Sequence, residues 1–225
     1  IEACLVGSEM CIRDRYTNNK FFIEGKNIES LTKKFNTPLY CYSYKNLREN
    51  IENFKKAFKE IRPLICFSVK SNSNISLLKE IKKLGLGADV VSKGELYASL
   101  KAGINKNKIV FSGVGKTRDE IEYAIKQKIL LINSESLSEV LAIEAAAKKL
   151  NKVVDIGLRL NPDTDAETLK QISTGKSENK FGVDKKTFVK IINLMKQSKF
   201  INIKCLSVHI GSQILNHKPY EKMLN

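Results

Sequence analysis

The chain has 225 residues, 42% hydrophobic and 28% charged, with a formal net charge of +15. That length suits one large domain or two small ones, the composition is that of an ordinary globular protein, and no apolar run is long enough to span a bilayer. The positive charge would suit a polyanion. However, arginine occurs only at 13, 15, 48, 62, 118 and 159, and the lysines are scattered at helical spacing among Glu and Asn, with no basic stripe interleaved with aromatics. Nucleic acid is therefore not an expected partner.

Residues 1–15 do not read as part of a fold. A short apolar run lacks the basic segment and cleavage site of a signal peptide. The following Ser8-Glu9-Met10-Cys11-Ile12-Arg13-Asp14-Arg15 resembles a translated adapter tail, so 1–15 is read as a non-native extension. The next segment, 16–43, has a strand pattern over 20–23, a helix over 28–35 broken by Thr37-Pro38, and an aromatic, strand-like stretch over 39–42. Ser43 can cap a helix whose apolar positions are Leu47, Ile51, Phe54, Phe58 and Ile61.

From 64 onward one unit repeats. Strands are expected over 64–69, 88–91, 109–111, 130–132, 154–160 and 203–210. Helices are expected over 75–84, 94–102, 118–127, 137–150 and 185–199. Short apolar strands alternating with helices mean βαβ units and a parallel sheet. Either an open doubly wound sheet or a (β/α)₈ barrel would fit, and the absence of G-x-G-x-x-G after the first strand disfavours the dinucleotide-binding form. Polar residues recur just past the strands: Lys70, Ser92, Ser112-Gly113, Asn161, and His209 with Gly211-Ser212. Strand ends converging on one face are the barrel arrangement, in which that face carries the chemistry. Lys70 ends the run Ile65-Cys66-Phe67-Ser68-Val69. A partly desolvated amine there could attack a carbonyl to form a Schiff base, although a surface lysine is the commoner meaning of such a position. The cysteines at 4, 11, 41, 66 and 205 form no CxxC or Cys/His cluster, so no metal site is expected. Cys66 and Cys205 read as small core residues, and reduced thiols imply a cytoplasmic protein.

Five motifs follow in order: Phe67-Ser-Val-Lys-Ser-Asn72, Ala88-Asp-Val-Val-Ser-Lys-Gly-Glu-Leu96, Arg159-Leu-Asn-Pro162, Ile172-Ser-Thr-Gly175 with Lys180-Phe-Gly-Val183, and His209-Ile-Gly-Ser-Gln213. Together they resemble the amino-terminal barrel of the diaminopimelate decarboxylases, fold-type III pyridoxal-phosphate decarboxylases akin to the ornithine and arginine enzymes. The resemblance covers about residues 20–225. It implies an α/β fold, a pyridoxal-phosphate-binding (β/α)₈ barrel of the alanine racemase and ornithine decarboxylase type, here with about six of eight strands over 44–225. The family's carboxyl-terminal β-domain would be missing, and the chain is expected to be a fragment inactive alone.

By the same resemblance, Lys70 would carry pyridoxal 5'-phosphate through a Schiff base, and His209 would stack on the cofactor ring. Ser212 would help hold the cofactor, and Arg159 would face its phenolic oxygen. Asp89 and Glu95 would support the lysine and the histidine, and Asn72 would belong to the lysine motif. The chain departs from the usual Tyr-Ala-x-Lys-Ala-Asn at Phe67, Ser68 and Ser71, and it has Leu169 where the family often has a histidine. Structural alternatives stay open. Arg159 needs a partner inside its apolar run, and an ion pair with a strand neighbour such as Asp89 would serve. Glu95 could face the helix dipole, and Ser212 could cap a turn. The implied substrate is meso-diaminopimelate, converted to L-lysine by a homodimer. An ornithine- or arginine-type decarboxylase and a cofactor-free interaction protein on the same barrel are the alternatives.

Overall fold

A computed structural model describes residues 14–164, 181–212 and 214–224. The chain divides into two compact units at Pro63/Leu64. In the first, strands β1 (Asp14–Thr17), β2 (Lys20–Ile23) and β3 (Lys26–Asn27) form an antiparallel sheet, followed by helices α1 (Ile28–Phe35) and α2 (Tyr44–Ala57). Strand β1 begins two residues inside the stretch read as an extension; residues 1–13 lie outside the described residues. Ser43 caps α2, its side chain accepting from the Asn46 N–H. That helix ends at Ala57, so Ile61 lies beyond it. Residues 39–42 are not a strand: Tyr40 and Tyr42 are exposed, and the stretch has no strand partner among the described residues. Aromatic content favours a strand only where a pleated neighbour is there to pack against.

The second unit holds a parallel sheet of β4 (Cys66–Ser68), β5 (Gly87–Val90), β6 (Ile109–Phe111), β7 (Leu131–Ser134), β8 (Val154–Arg159) and β9 (Ile201–Ser207). Its spatial order is the chain order, β4-β5-β6-β7-β8-β9, every pair parallel. A doubly wound sheet reverses its order at a switch point, whereas this one winds in one direction, as a barrel does. The intervening helices are α3 (Ile75–Lys83), α4 (Lys93–Lys101), α5 (Arg118–Gln127), α6 (Leu137–Leu150) and α7 (Lys185–Met195); α8 (Lys218–Leu224) follows β9.

The strands alternate between two environments, because successive side chains point to opposite faces. Val90, Phe111, Ile132, Ile156 and Leu158 are fully buried and, with Leu78, Ile81, Leu96, Ile121, Ile143 and Ile191 from the helices, make the core. The registered pairs Asp89↔Val110, Val110↔Leu131 and Asn133↔Gly157 put the polar residues on the other face, the interior of the curved sheet.

The helices start on strong local signals. Ser92, Thr117 and Ser136 each accept the N–H of a glutamate three residues on (Glu95, Glu120 and Glu139). The glutamates reach back to backbone donors of Val91, Thr117 and Glu135. Each such N-cap contributes about 1 kcal/mol. It also fixes the chain where it leaves a strand, which is where the polar residues gather. No helix among the described residues is long and apolar enough to cross a membrane.

Candidate active site

The ends of all six strands of the parallel sheet supply residues to the site. Lys70 does not lie in β4 itself; it sits in a 3₁₀ turn, Val69–Ser71, just beyond the strand. Val69 is fully buried and anchors the turn, which leaves Lys70 exposed rather than partly desolvated. The Lys70 amine has no hydrogen-bond partner among the described residues. Asn72 closes the turn: its N–H donates to Val69 O at 3.0 Å, and its Oδ1 accepts from the Asn74 N–H at 3.0 Å. The Lys-Ser-Asn run is therefore a compact device that turns the chain from β4 into α3 and leaves one amine projecting at the strand end.

Asp89, on the neighbouring strand, feels the charge of Lys70. Burial pushes its carboxyl up from the ordinary range; a hydrogen bond from Ser112 and the charges of Lys70 and Lys116 oppose the rise. The Ser112 hydroxyl donates to Asp89 Oδ1 at 2.5 Å, and the Asn133 amide donates to Ser112 Oγ at 3.1 Å.

Arg159, the last residue of β8, has a partner, but it is not Asp89. Its Nη1 lies 3.1 and 3.0 Å from the two carboxylate oxygens of Glu135, with the Arg159 side chain 12% and the Glu135 side chain 3% exposed. The sheet order explains the choice: Glu135 follows β7, the immediate neighbour of β8, whereas Asp89 is three strands away. Arg159 also donates through Nη2 to His209 O at 3.3 Å and stacks on Phe181, 5.1 Å from the ring centre. The chain returns to β8 beyond residue 180: Leu160 and Val183 form a parallel bridge, and Val183 N–H donates to Arg159 O at 2.9 Å. Gly182 permits this approach. It has φ +75, and a Cβ there would lie 3.0 Å from Arg159 O. The motif residues Ile172, Thr174, Gly175 and Lys180, the departure at Leu169, and Gln213 lie outside the described residues.

His209 lies just beyond β9 and feels both Arg159 and Lys70. Burial of the ring first, then these two cations, lower its imidazole below the ordinary 6.5, with Glu135 pulling the other way. The folded state therefore takes up its proton later than the unfolded chain. His209 contributes stability in full above pH 6.5, and that contribution is lost as the pH falls through the lowered folded value. Imidazole NMR should give a titration midpoint for His209 below 6.5; a midpoint above it would mean that Glu135 outweighs the cations.

Ser212 is exposed, two residues past Ile210, which is buried. Glu95 is engaged locally: its Oε2 accepts from Val91 N–H at 2.9 Å, and its own N–H donates to Ser92 at 3.2 Å. It caps α4, and neither Lys70 nor His209 is among its hydrogen-bond partners. The sheet thus brings together Lys70, Asp89, Arg159 and His209. Sequence reasoning passed over Glu135 and Asn133, although the polar run Asn133-Ser134-Glu135 carries the same strand-end signal that marked the other strands, and it quoted Phe181 in a motif without giving it a role. It also passed over Lys116, almost wholly buried, whose ammonium donates to Glu139 at 2.5 Å and to the carbonyls of Gly113 and Asn133 at 2.5 and 2.7 Å. Cys66 is half-buried with its thiol pushed up to about 11, chiefly by burial, which leaves it little thiolate character.

The family model described as pyridoxal-dependent decarboxylase, pyridoxal binding domain, matches residues 44–225. The chain belongs to this family. Diaminopimelate decarboxylase of Helicobacter pylori strain J99 is 45% identical over 193 residues, 86% of this chain and 48% of the relative. That of Aquifex aeolicus is 42% identical over 207 residues, 92% of this chain and 49% of the relative. The crystal structure of the Helicobacter pylori diaminopimelate decarboxylase complexed with L-lysine superposes with a TM-score of 0.85 at 43% identity, over 88% of this chain and 50% of that one. The M. jannaschii enzyme in co-complex with L-lysine gives 0.87 at 33% identity, over 95% and 51%. This family chain therefore spans about half the length of the relatives it matches, and the half it spans is the pyridoxal-binding barrel.

Proposed function

We propose that this chain is the cofactor-binding barrel of a diaminopimelate decarboxylase, which removes carbon dioxide from meso-diaminopimelate to give L-lysine. The observation that carries the reading is the gathering of Lys70, Asp89, Arg159 and His209 at the carboxyl ends of strands in a barrel similar to enzymes solved with L-lysine. The site residues fit pyridoxal 5'-phosphate: an amine with no hydrogen-bond partner among the described residues, a carboxylate and an imidazole that both feel its charge, and a paired guanidinium beside the imidazole. When bound, the cofactor supplies an electron sink for the pair left when the bond to the carboxylate breaks.

The chain's own residues then divide the work. Lys70 offers the amine that holds the aldehyde. Asp89, on the adjacent strand, is the carboxylate that feels the charge of the Lys70 amine. Arg159, fixed by Glu135 and Phe181, presents a charge that cannot be titrated away. His209 is uncharged at neutral pH, so its ring can lie against an apolar aromatic face without adding a third cation. By the family resemblance Ser212 would help hold the cofactor. A homodimer belongs to the same reading, as does a cytoplasmic location, which the free thiols of Cys41, Cys66 and Cys205 suit.

The complete gene from which this chain comes, expressed with pyridoxal phosphate and given meso-diaminopimelate, should release L-lysine and carbon dioxide in equal amounts. Turnover of ornithine or arginine instead would move the protein to a sister activity. No turnover of any of the three, together with no cofactor on Lys70, would favour a cofactor-free interaction protein.

A further inference from the structure

The interior face of the sheet carries a polar chain that no step above requires. The Asn133 side-chain amide donates to Ser112 Oγ at 3.1 Å, and Ser112 donates to Asp89 Oδ1 at 2.5 Å. The direction is forced. An amide N–H can only donate, so it occupies a lone pair of Ser112 and sends the hydroxyl hydrogen onward to the carboxylate. At the far end, Asn133 Oδ1 is buried with no partner in the described structure. It fills the space beside Gly157, where a Cβ would lie 2.1 Å from that oxygen. Folding alone does not favour this arrangement, because an apolar residue of the same shape would avoid leaving a buried acceptor unpaired. Two residues, one on β7 and one just past β6, with a glycine on β8 making room, lead in series to the carboxylate of a third on β5.

We propose that Ser112 and Asn133 are positioning residues, a hydrogen-bond relay that orients the Asp89 carboxylate at the strand end beside Lys70. The groups facing Asp89 are few. From β4 come the Cys66 thiol and, beyond the strand, Lys70; from the end of β6 come Ser112 and, past it, the buried ammonium of Lys116. Cys66 is predominantly a neutral thiol at neutral pH and adds little charge. Lys116 is committed to Glu139 and two carbonyls. Among the influences that oppose burial at Asp89, the Ser112 bond is the largest. The relay therefore sets the position and the hydrogen bonding of the carboxylate that Lys70 faces. The importance of that partnership to cofactor capture rests on the function proposed above; the relay itself does not.

The test reads Asp89 directly, without cofactor. In the chain labelled at the aspartate side-chain carbon, the Asp89 resonance is assigned by its loss in Asp89→Asn and titrated. Ser112→Ala should raise the midpoint by about one pH unit, Asn133→Leu should raise it by less, and Ser112→Thr, which keeps the hydroxyl, should leave it in place. The unmodified chain provides a second reading: its Asn133 side-chain amide resonances should move with the Asp89 midpoint, as a connected relay requires. A Ser112→Ala variant with native circular dichroism and an unmoved midpoint would overturn the proposal, as would Asn133 amides that ignore the Asp89 titration. Trapping pyridoxal phosphate on Lys70 with borohydride across the same pH range separates the two claims. A shifted Asp89 midpoint with no trapping at any pH leaves the relay standing and removes the cofactor reading. Trapping with an unmoved midpoint does the reverse.

Discussion

Replacing Glu135 by alanine should cost about 3–5 kcal/mol of stability, measured by urea unfolding. The loss comes from what remains. The Arg159 side chain is 12% exposed, and its Nη1 is held between both oxygens of Glu135. Without the carboxylate, a guanidinium that cannot deprotonate is left in a mostly dry site with, among the described residues, the His209 carbonyl and the Phe181 ring for company. Those two contacts are worth about 1–2 kcal/mol together and do not replace a counter-ion. Removing both charges, as Glu135→Leu with Arg159→Leu, should cost much less than Glu135→Ala alone, because a buried ion pair stabilises little relative to a well-packed apolar pair. That contrast distinguishes a stranded charge from a lost contact. A Glu135→Ala loss below about 1 kcal/mol would mean that water reaches Arg159 freely.

The second large effect concerns chemistry. Lys70→Ala should reduce borohydride-trapped pyridoxal phosphate by at least about a hundredfold at equal protein, leaving only sparse labelling of other lysines. Its stability should change by less than about 0.5 kcal/mol, since Lys70 is exposed and buries nothing. Loss of trapping without loss of fold is the signature of a group that serves the site rather than the structure. Lys116→Ala should behave in the opposite way. Its ammonium is buried against Glu139, and it ties the carbonyl of Gly113 to that of Asn133.

The strand and helix pattern was largely legible in the residues, because in this fold each βα unit repeats one signal: a short apolar run, a polar strand end, a capping residue and an amphipathic helix. The expected helices over 118–127 and 137–150 match α5 and α6 end for end. The stretch 39–42 misled because strand propensity is a property of a surface with a partner, and sequence alone does not reveal whether that partner exists. The motifs singled out Lys70, Asp89, Arg159 and His209, and the structure places each of them at or near a strand end. The wiring between these residues was not legible. Which carboxylate pairs with Arg159 is decided by strand order and register, and those place Glu135 beside it and Asp89 three strands away. Glu95 sits inside a recognisable motif, but its carboxylate is committed to the start of α4. The exposure of Lys70 also lay beyond the sequence. It follows from a 3₁₀ turn in which Val69 takes the buried position and the lysine projects outward.

The central claim is that one amine among many lysines is the attachment point for pyridoxal phosphate. The chain is incubated with pyridoxal phosphate at neutral pH, reduced with borohydride and digested, and the modified peptides are quantified by mass spectrometry. The account predicts a single dominant adduct, on the Lys70 nitrogen, formed at cofactor concentrations too low to label the other lysines appreciably. Label spread over the exposed lysines in proportion to their accessibility, with Lys70 no more reactive than its neighbours Lys79 and Lys82, would contradict it.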